Sequence, residues 1–285
     1  MLKKIHILLI PVLVLGLHAC SQVRTGFDSA NVQGSKSNSA FSYVSFIPGS
    51  YSFIDIDVLD NIYLITETNR LKKIKANGDS VAVFNDVKKY GNPSLIDVSN
   101  PLKILVYYQN YSTVVILDRL LSFRNSINFR RKNIFKVRAL ATSYDNNIRL
   151  FDEQDSKLKK TDDDGNVLTE SNDFRQIFDT VPSPSFITDT DNFTYLYDAD
   201  RGFYIFDYYG SFKNNLPFLH WEHVAVTGNR LMGFTGDTLY SYELNSLNLK
   251  SYRLPDFFKG YKDIKAMNGK VYLLRKEGVE VYKIL

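Results

Sequence analysis

The sequence predicts an all-β fold, and three observations support this prediction. Tyr and Phe are abundant, with 19 and 20 copies, and their side chains suit the half-buried surface of a pleated sheet. Beyond the N-terminal segment, no stretch shows the sustained apolar spacing of an amphipathic helix. Strand-like segments recur at spacings of 42, 44, 47, 36 and 40 residues, aligned on Ile62, Ile104, Ile148, Tyr195, Leu231 and Val271. Six units of about forty residues, each made of short strands, predict a six-bladed β-propeller.

The repeated unit is clearest at residues 53–79, which contain two tightly connected strands, a third strand and an Asx-Gly turn. Phe-Ile-Asp-Ile at 53–56 is matched by Leu-Ile-Asp-Val at 95–98, so Asp55 recurs as Asp97 in the innermost strand. We interpret this aspartate as a hydrogen-bonding feature of the repeat. Turns with a central glycine follow the third strand at 77–79, 164–166 and 209–211, where a tight hairpin favours positive φ.

The last unit is short, because residues 261–285 leave room for three strands instead of four. Residues 41–46 alternate between apolar and polar side chains and have no hairpin partner nearby. We predict that this N-terminal strand becomes the outermost strand of the last blade. Such pairing closes the ring and leaves no open edge between the first and last blades.

Residues 1–19 predict a signal peptide. Lys3 and Lys4 precede an apolar stretch at 5–17, which is too short to span a membrane. The motif Leu17-His18-Ala19-Cys20 resembles the bacterial lipobox, and this resemblance implies cleavage before Cys20 and lipidation of its thiol. The alternative is an ordinary secretory signal peptide with an unrelated cysteine.

The polar residues 20–40 predict a flexible tether that begins at the lipidated cysteine, and residues 41–285 predict a single propeller domain. In enteric-type sorting, Asp directly after the lipidated cysteine retains a lipoprotein in the inner membrane. Ser21 takes that position here, which favours the outer membrane. No acidic run follows Cys20, so we expect the domain to face the periplasm.

The charge balance after signal cleavage is nearly neutral, with 33 basic and 31 acidic residues. This balance gives no electrostatic reason to expect a nucleic-acid partner. Cys20 is the only cysteine, so we expect no disulfide and a domain held together by packing.

The segment from Asn61 to Asp79, with the sequence Asn-Ile-Tyr-Leu-Ile-Thr-Glu-Thr-Asn-Arg-Leu-Lys-Lys-Ile-Lys-Ala-Asn-Gly-Asp, resembles the repeats of NHL and YncE-like propellers. The resemblance covers about residues 50–285 and is clearest in the first and third units. Most units lack the consensus aspartate, and the second lacks the turn glycine. The resemblance implies a fold and not an activity, because propellers host many functions.

In a propeller, the loops that enter each innermost strand and the loops between strands two and three gather at one end of the channel. We call this end the upper face, and it is the default site for a ligand or partner. The segment Phe-Leu-His-Trp-Glu-His at 218–223 holds the single Trp and the only two histidines of the mature chain. The candidate ligand or partner contacts are Tyr51, Arg138, His220, Trp221, Glu222, His223 and Tyr261.

Three interpretations of 220–223 remain open: a metal or acid–base cluster, a surface that contacts a ligand or partner, and an aromatic loop whose Trp221 plugs the channel. Strand alternation places His220 and Glu222 on one side and His223 on the other, which disfavours a metal cluster. We therefore predict no metal and no cofactor. The acidic run at 162–164 lacks the ligand spacing of an EF-hand and is predicted to be a turn.

A basic stretch joins the second and third units, with phenylalanines at 123, 129 and 135 between its charges. It comprises Arg124, Arg130, Arg131, Lys132, Lys136 and Arg138. The alternation is typical of a half-buried outer strand, and contact with anionic headgroups or a partner is the alternative.

Several enzyme classes lack their sequence signatures: there is no Gly-x-Ser-x-Gly, phosphate loop or dinucleotide fingerprint. The sequence favours a membrane-anchored propeller that binds an envelope protein partner as a scaffold subunit. The alternative is a ligand-binding or carbohydrate-active propeller enzyme of the lyase or lactonase type, with its site at the central channel. That alternative predicts convergent acids at the channel mouth, around Glu67, Asp155, Asp198, Glu222 and Glu277.

Overall fold

The protein is a six-bladed β-propeller in the computed structural model, which describes residues 40–190 and 193–285. Residues 39–285 form one compact unit. The segment 1–38, with the predicted signal peptide, Cys20 and nearly all of the tether, lies outside the described residues. Each blade is a four-stranded antiparallel sheet, and the sixfold prediction is confirmed.

The first three blades follow one another along the chain. Blade one contains β2 Tyr51–Ile56, β3 Ile62–Thr66, β4 Leu71–Ile74 and β5 Ser80–Phe84. Blade two contains β6 Leu95–Asn100, β7 Lys103–Tyr108, β8 Thr113–Asp118 and β9 Phe123–Asn128. Blade three contains β10 Val137–Thr142, β11 Ile148–Asp152, β12 Lys157–Thr161 and β13 Val167–Glu170. The single-turn α1 at Val87–Tyr90 connects blades one and two.

The remaining blades continue the ring. Blade four contains β14 Phe186–Asp189, β15 Phe193–Asp198, β16 Gly202–Asp207 and β17 Phe212–Leu216. Blade five contains β18 Glu222–Thr227, β19 Arg230–Thr235, β20 Thr238–Glu243 and β21 Asn248–Arg253. Blade six contains β22 Asp263–Met267, β23 Lys270–Leu274, β24 Gly278–Ile284 and the N-terminal strand β1 Phe41–Pro48.

Strand β1 closes the ring, as the strand count predicts. It pairs antiparallel with β24, from Phe41 opposite Ile284 to Pro48 opposite Gly278. A bulge between Tyr43 and Ser45 interrupts this register. The first and last blades are therefore joined by strand pairing, which removes the open edge that three strands alone would leave.

The core consists of six layers of apolar side chains, one between each pair of neighbouring blades. Side chains on one strand alternate between the two neighbouring layers because a strand has a period of two. In blade one, Ile62 packs against blade six, whereas Tyr63 packs against blade two.

This alternation corrects the alignment of blade four by one residue. Tyr195 packs toward the following blade, as Tyr63 does, whereas Ile62 and its other equivalents pack toward the preceding blade. Thr194 is the matching position in blade four, and it pairs with Asp189 as Ile62 pairs with Ile56. Polar Thr194 in place of an apolar residue caused the error, because the alignment followed hydrophobicity.

Within residues 40–190 and 193–285, no helix has the length and apolarity needed to cross a membrane.

Candidate functional site

The upper face of the propeller carries the segment 218–223, between the last strand of blade four and the first strand of blade five. His220 and His223 both adopt positive φ, at 56° and 49°. A bulge follows in β18, because the register shifts between Glu222 and Ala225. The segment is therefore a kinked loop at 218–221 that leads into the irregular start of β18, so regular strand alternation does not set its side-chain directions.

Trp221 is buried in the layer between blades four and five and does not plug the channel. Its ring stacks on Phe218 and Tyr240 at centroid distances of 4.6 and 5.6 Å. Gly233 lies directly against the indole, and a Cβ there would meet it at 2.7 Å. Trp221 is thus part of the core, and its surface is not available to a partner.

The two histidines point to different neighbouring blades. His220 is exposed, and its Nδ1 lies 3.8 Å from Oδ1 of Asp200 in blade four. His223 is largely covered, and its Nδ1 lies 2.9 Å from Oδ1 of Asp263 at the start of blade six. This divergence separates the two imidazoles, so they do not form one cluster.

His223 sits in a polar and aromatic niche between blades five and six. Its ring meets the rings of Phe234 and Tyr261 edge-on, at 6.4 and 6.5 Å. Burial raises the pKa of Tyr261, and the negative charges of Glu222 and Asp263 raise it further. The structure thus brings together three candidate residues (His223, Glu222 and Tyr261) and adds Asp263.

Tyr51 and Arg138 do not join this niche through any contact in the described residues. Tyr51 is buried, and its hydroxyl donates to the carbonyl of Pro48 at 3.2 Å. Burial raises the pKa of Tyr51. Arg138 is exposed at a bulge in β10, where the register shifts between Val137 and Ala139.

The upper-face acids are engaged separately and do not converge on one point. Glu67 accepts hydrogen bonds from Ser50 at 3.0 Å and Lys262 at 3.3 Å. Asp198 accepts the backbone N–H groups of Ser183 and Asp200, at 2.7 and 2.9 Å. Among the residues that the structure describes, no three His, Cys, Asp or Glu side chains are grouped closely enough to hold a metal ion.

The central channel contains a small cavity of about 70 Å³. Asp55, Asp97, Thr188, Ala225 and Lys265 line it, each from the innermost strand of a different blade. Burial raises the pKa of Asp55 and of Asp97, while Lys265 acts in the opposite direction on Asp55. The cavity is large enough for one or two water molecules but not for a typical organic ligand.

Sequence reasoning missed Asp263 and Lys265. Lys265 pairs with Tyr272 just as Asp55 pairs with Tyr63, so both face the channel from equivalent positions. The tight turn at Asn268 and Gly269 shortens the hairpin in blade six, which hides this equivalence in the linear spacing. Asp263 lies two residues after the candidate Tyr261, and its position at the start of an innermost strand was the available signal.

The basic stretch runs from β9, the outermost strand of blade two, to β10, the innermost strand of blade three. Four of its arginines are exposed and form no ion pair with any described carboxylate: Arg124, Arg130, Arg131 and Arg138. Phe123 and Phe135 are also exposed, whereas Phe129 is fully buried. We call these four arginines and two exposed phenylalanines the arginine surface. The predicted half-buried alternation therefore holds only for Phe129.

The comparisons with known proteins identify a fold. No protein-family model matches the chain, and no curated protein sequence matches it. A streptogramin B lyase structure superposes with a TM-score of 0.54 at 13% identity, over 81% of this chain and 78% of that chain. The WD40 domain of Neurospora crassa Pan2 superposes with a TM-score of 0.59 at 10% identity, over 86% of this chain and 95% of that chain.

A catalytically inactive histidine-to-alanine variant of virginiamycin B lyase from Staphylococcus aureus, solved with quinupristin, gives 0.56 at 11% identity. It covers 86% of this chain and 100% of that chain. All three structures are β-propellers. At such low identity the likeness shows the shared propeller architecture alone, because one propeller scaffold supports unrelated activities.

Proposed function

We propose that this chain is a lipid-anchored propeller of a bacterial outer membrane that acts as a protein-interaction or scaffold subunit of an envelope assembly. The signal-like residues 1–19 and the lipobox-like motif at Cys20 support the anchor, and Ser21 supports the outer membrane. The domain faces the periplasm in this proposal. Its blades belong to the NHL or YncE-like type in this proposal, because residues 61–79 resemble the repeats of those propellers.

The arginine surface is the observation that carries the scaffold proposal. Its four arginines have no ion-pair partner in the described chain, although the chain pairs most of its buried cations. Arginine and aromatic residues are enriched in the energetic centres of protein interfaces. Arginine also pairs with carboxylates through two parallel hydrogen bonds, so the partner chemistry that fits is an acidic protein surface.

The test is affinity purification of the tagged, full-length protein from envelope membranes. A double substitution Arg130→Glu and Arg131→Glu is compared with Lys250→Glu and Lys276→Glu, which make the same charge change on blades five and six. We expect a stoichiometric partner whose recovery falls at least about tenfold in the arginine variant only. Recovery of no stoichiometric partner, or equal recovery from both variants, would contradict the proposal.

The anchor has its own test. Cys20→Ala should shift the protein from the membrane fraction to the soluble periplasmic fraction, because a lipid chain contributes about 0.8 kcal/mol per buried methylene. Arg130→Glu serves as the control, since it leaves the lipobox-like motif intact. Continued tight membrane association of the Cys20→Ala protein would refute the anchor.

A second candidate function is a lyase-type enzyme, and the pairing of His223 with Asp263 favours it. A carboxylate that accepts a hydrogen bond from Nδ1–H fixes the tautomer of the imidazole and leaves Nε2 as the acceptor, which is the arrangement of a general base. Two of the structural neighbours are lyases of streptogramin antibiotics, and one of them is inactivated by loss of a histidine.

This candidate is tested by incubating the protein with quinupristin and following the antibiotic by mass spectrometry. Turnover that is lost in His223→Ala and retained in His220→Ala would support it, because only His223 has the close carboxylate partner. Absence of any change in the antibiotic would remove this substrate class.

A further inference from the structure

We propose that the outer edge of blade six is a membrane-docking surface that seats the propeller on the lipid bilayer. We call it the clasp surface and define it by the exposed side chains of Tyr43, Val44 and Phe46 of β1 and of Phe257, which lie over the buried Tyr282. The inference rests on the proposed lipid anchor at Cys20, and it adds an orientation to it.

Exposure of large apolar side chains is concentrated on β1. Tyr43, Val44 and Phe46 are 59%, 50% and 44% exposed, and Phe257 nearby is 54% exposed. No other strand of the described chain exposes three large apolar side chains. Single exposed apolar residues are ordinary on protein surfaces, but a contiguous group marks a contact site.

The exposed rings are held in fixed positions by their neighbours. Tyr282 meets Tyr43 and Phe257, each at a centroid distance of 5.7 Å. Beneath them, Phe258 lies 4.6 Å from Tyr282 and 5.0 Å from Phe41. The exposed aromatics are thus the top of a stack that reaches into the core, and ordering them on binding costs little conformational entropy.

Arg275 fastens the loop that presents Phe257. Its guanidinium donates to the carbonyls of Phe257 and Lys259 and to Oε2 of Glu280, the last two at 2.7 and 2.8 Å. Three bonds from one planar group fix the loop against β24. The fixed Phe257 loop and the fixed Tyr43 ring make the surface pre-organised.

The chemistry of the clasp surface fits a bilayer interface. Tyr and Phe rings combine a large apolar area with tolerance for the polar headgroup region, where aromatic residues are enriched. Lys259 follows Phe257 by two residues and pairs with Asp256, so an exposed cation lies on the loop that carries Phe257. Anionic headgroups attract such cations by about 1 kcal/mol each near the surface.

The position of β1 in the chain also supports the lipid bilayer as the binding partner of the clasp surface. Cys20 lies 21 residues before Phe41, where β1 begins. A flexible chain of that length spans roughly 25 Å on average. Of all the strands, β1 is therefore the one with the shortest chain connection to the predicted anchor, and this connection keeps it near the membrane surface.

The bulge in β1 disfavours a partner that adds a strand to this edge. Val44 has no opposing residue in β24, because the register jumps from Tyr43 to Ser45. A bulge twists an edge strand and breaks the regular row of backbone groups that a second copy would need. The side chains of the clasp surface, and not its backbone edge, are thus its binding chemistry.

Docking through blade six gives the propeller a defined orientation. In a ring of six blades, blade three lies opposite blade six. The arginine surface of blades two and three therefore points away from the bilayer when the clasp surface touches it, and both ends of the channel stay open to partners. The two surfaces cannot contact the same flat membrane at once. Docking through the clasp surface and docking through the arginine surface are therefore distinct orientations that an experiment can tell apart.

The test places a tryptophan on each surface of the full-length, lipidated protein. Tyr43→Trp and Phe123→Trp replace aromatic residues of similar exposure, and both retain the buried Trp221 as the same background. Each protein is reconstituted with vesicles of phosphatidylethanolamine, phosphatidylglycerol and a brominated phosphatidylcholine that quenches tryptophan. We expect at least about twofold stronger quenching for Tyr43→Trp than for Phe123→Trp, together with a blue-shifted emission.

Each outcome is decisive. Equal quenching, or stronger quenching of Phe123→Trp, overturns the clasp surface as the docking site. Vesicle flotation without quenching of Tyr43→Trp overturns docking and leaves the anchor intact, whereas loss of flotation counts against the anchor itself. Dimers that disappear on Tyr43→Ser would assign the surface to a second copy instead. Circular dichroism of each variant verifies that the fold is retained.

Discussion

Asp55 and Asp97 occupy the same position in neighbouring blades but have different roles. Oδ2 of Asp97 accepts two hydrogen bonds from Thr142 in blade three, from N–H at 2.7 Å and from the hydroxyl at 2.9 Å. Among residues 40–190 and 193–285, the only hydrogen bond to Asp55 comes from the N–H of Ile56, next to it in the chain. The interpretation of this aspartate as a hydrogen-bonding feature therefore applies between blades only for Asp97.

This difference predicts unequal effects of the same substitution. Asp97→Asn should lower the free energy of unfolding by about 1–3 kcal/mol, because one amide oxygen cannot accept from both Thr142 and Ser99 while the amide NH₂ faces a donor. Asp55→Asn keeps its bond to Ile56 and should lower the free energy of unfolding by less than Asp97→Asn does, because it breaks no hydrogen bond to another blade. Urea unfolding at pH 7 measures both, and equal effects would contradict the assigned roles.

The side chains of His220 and His223 point in directions that strand alternation did not predict. The reason is local: positive φ at His220 and His223 breaks the alternating geometry, so each imidazole follows its own carboxylate. Positive φ is uncommon for any residue other than glycine, and although histidine adopts it more often than most residues, the sequence alone does not mark the positions where it does so.

At the scale of the element, burial changes along β1 between residues on the same side of the strand. Phe41 is buried against Phe258 and Tyr282, between blades five and six. Tyr43 lies on the same side but farther along, beyond the cover of blade five, and is mostly exposed. One end of the strand thus closes the ring while the next residues remain free to bind.

The closing role of β1 can be separated from its binding role by substitution. Phe41→Ala should lower the free energy of unfolding by about 3 kcal/mol, because it opens a cavity under Phe258. Tyr43→Ser, two residues away, should cost less than about 1 kcal/mol, since it loses only one edge contact with Tyr282. Denaturant unfolding followed by circular dichroism measures both, and a small effect of Phe41→Ala would mean that β1 adds little to ring closure.

At the scale of the whole molecule, cations bind neighbouring blades together on the lower face. Nζ of Lys73 in blade one donates to the carbonyl of Arg119 in blade two at 3.0 Å. Nζ of Lys103 in blade two donates to the carbonyl of Asn146 in blade three at 2.5 Å. Lys270 in blade six reaches Asp60 in blade one at 2.7 Å. These bonds run between consecutive blades, so they act on the ring as a unit.

Two carboxylates that accept hydrogen bonds from lysines, those of Asp60 and Asp145, make the fold sensitive to acid. Partial burial acts to raise the pKa of Asp145, but bonds from Lys160, Ser143 and Tyr208 outweigh burial and hold the pKa well below its usual range. Bonds from Lys270 and Asn268 likewise outweigh burial at Asp60 and lower its pKa. A lowered pKa stabilises the fold above the unfolded value of about 3.9, and this stability is lost as the pH falls below it.

We therefore expect the melting temperature to fall as the pH drops from about 5 to 3. The raised pKa values of Asp55, Asp97 and Asp189 have the opposite sign and offset part of this loss. Asp145→Asn should melt at a lower temperature at pH 7 and show a shallower pH dependence. Calorimetry across this pH range tests the prediction, and a melting temperature that rises on acidification would contradict it.

The sequence alone determined the number of blades, the strand order and the closing role of residues 41–46. These features follow from local patterns, namely the period of two within strands, glycine in tight turns and a repeat of about forty residues. Each pattern is present in the linear order of the residues, so no long-range information is needed to find it.

The tertiary structure decided which side chains meet across blades. It buried Trp221 in the core, placed Asp263 against His223, brought Lys265 to the same channel cavity as Asp55 and Asp97, and set the exposed Tyr43 and Phe257 against one buried ring, that of Tyr282. Phe257 and Tyr43 are more than two hundred residues apart in the chain. Such contacts depend on how six sheets twist and pack around an axis, and that geometry is a property of the closed ring and not of any one segment.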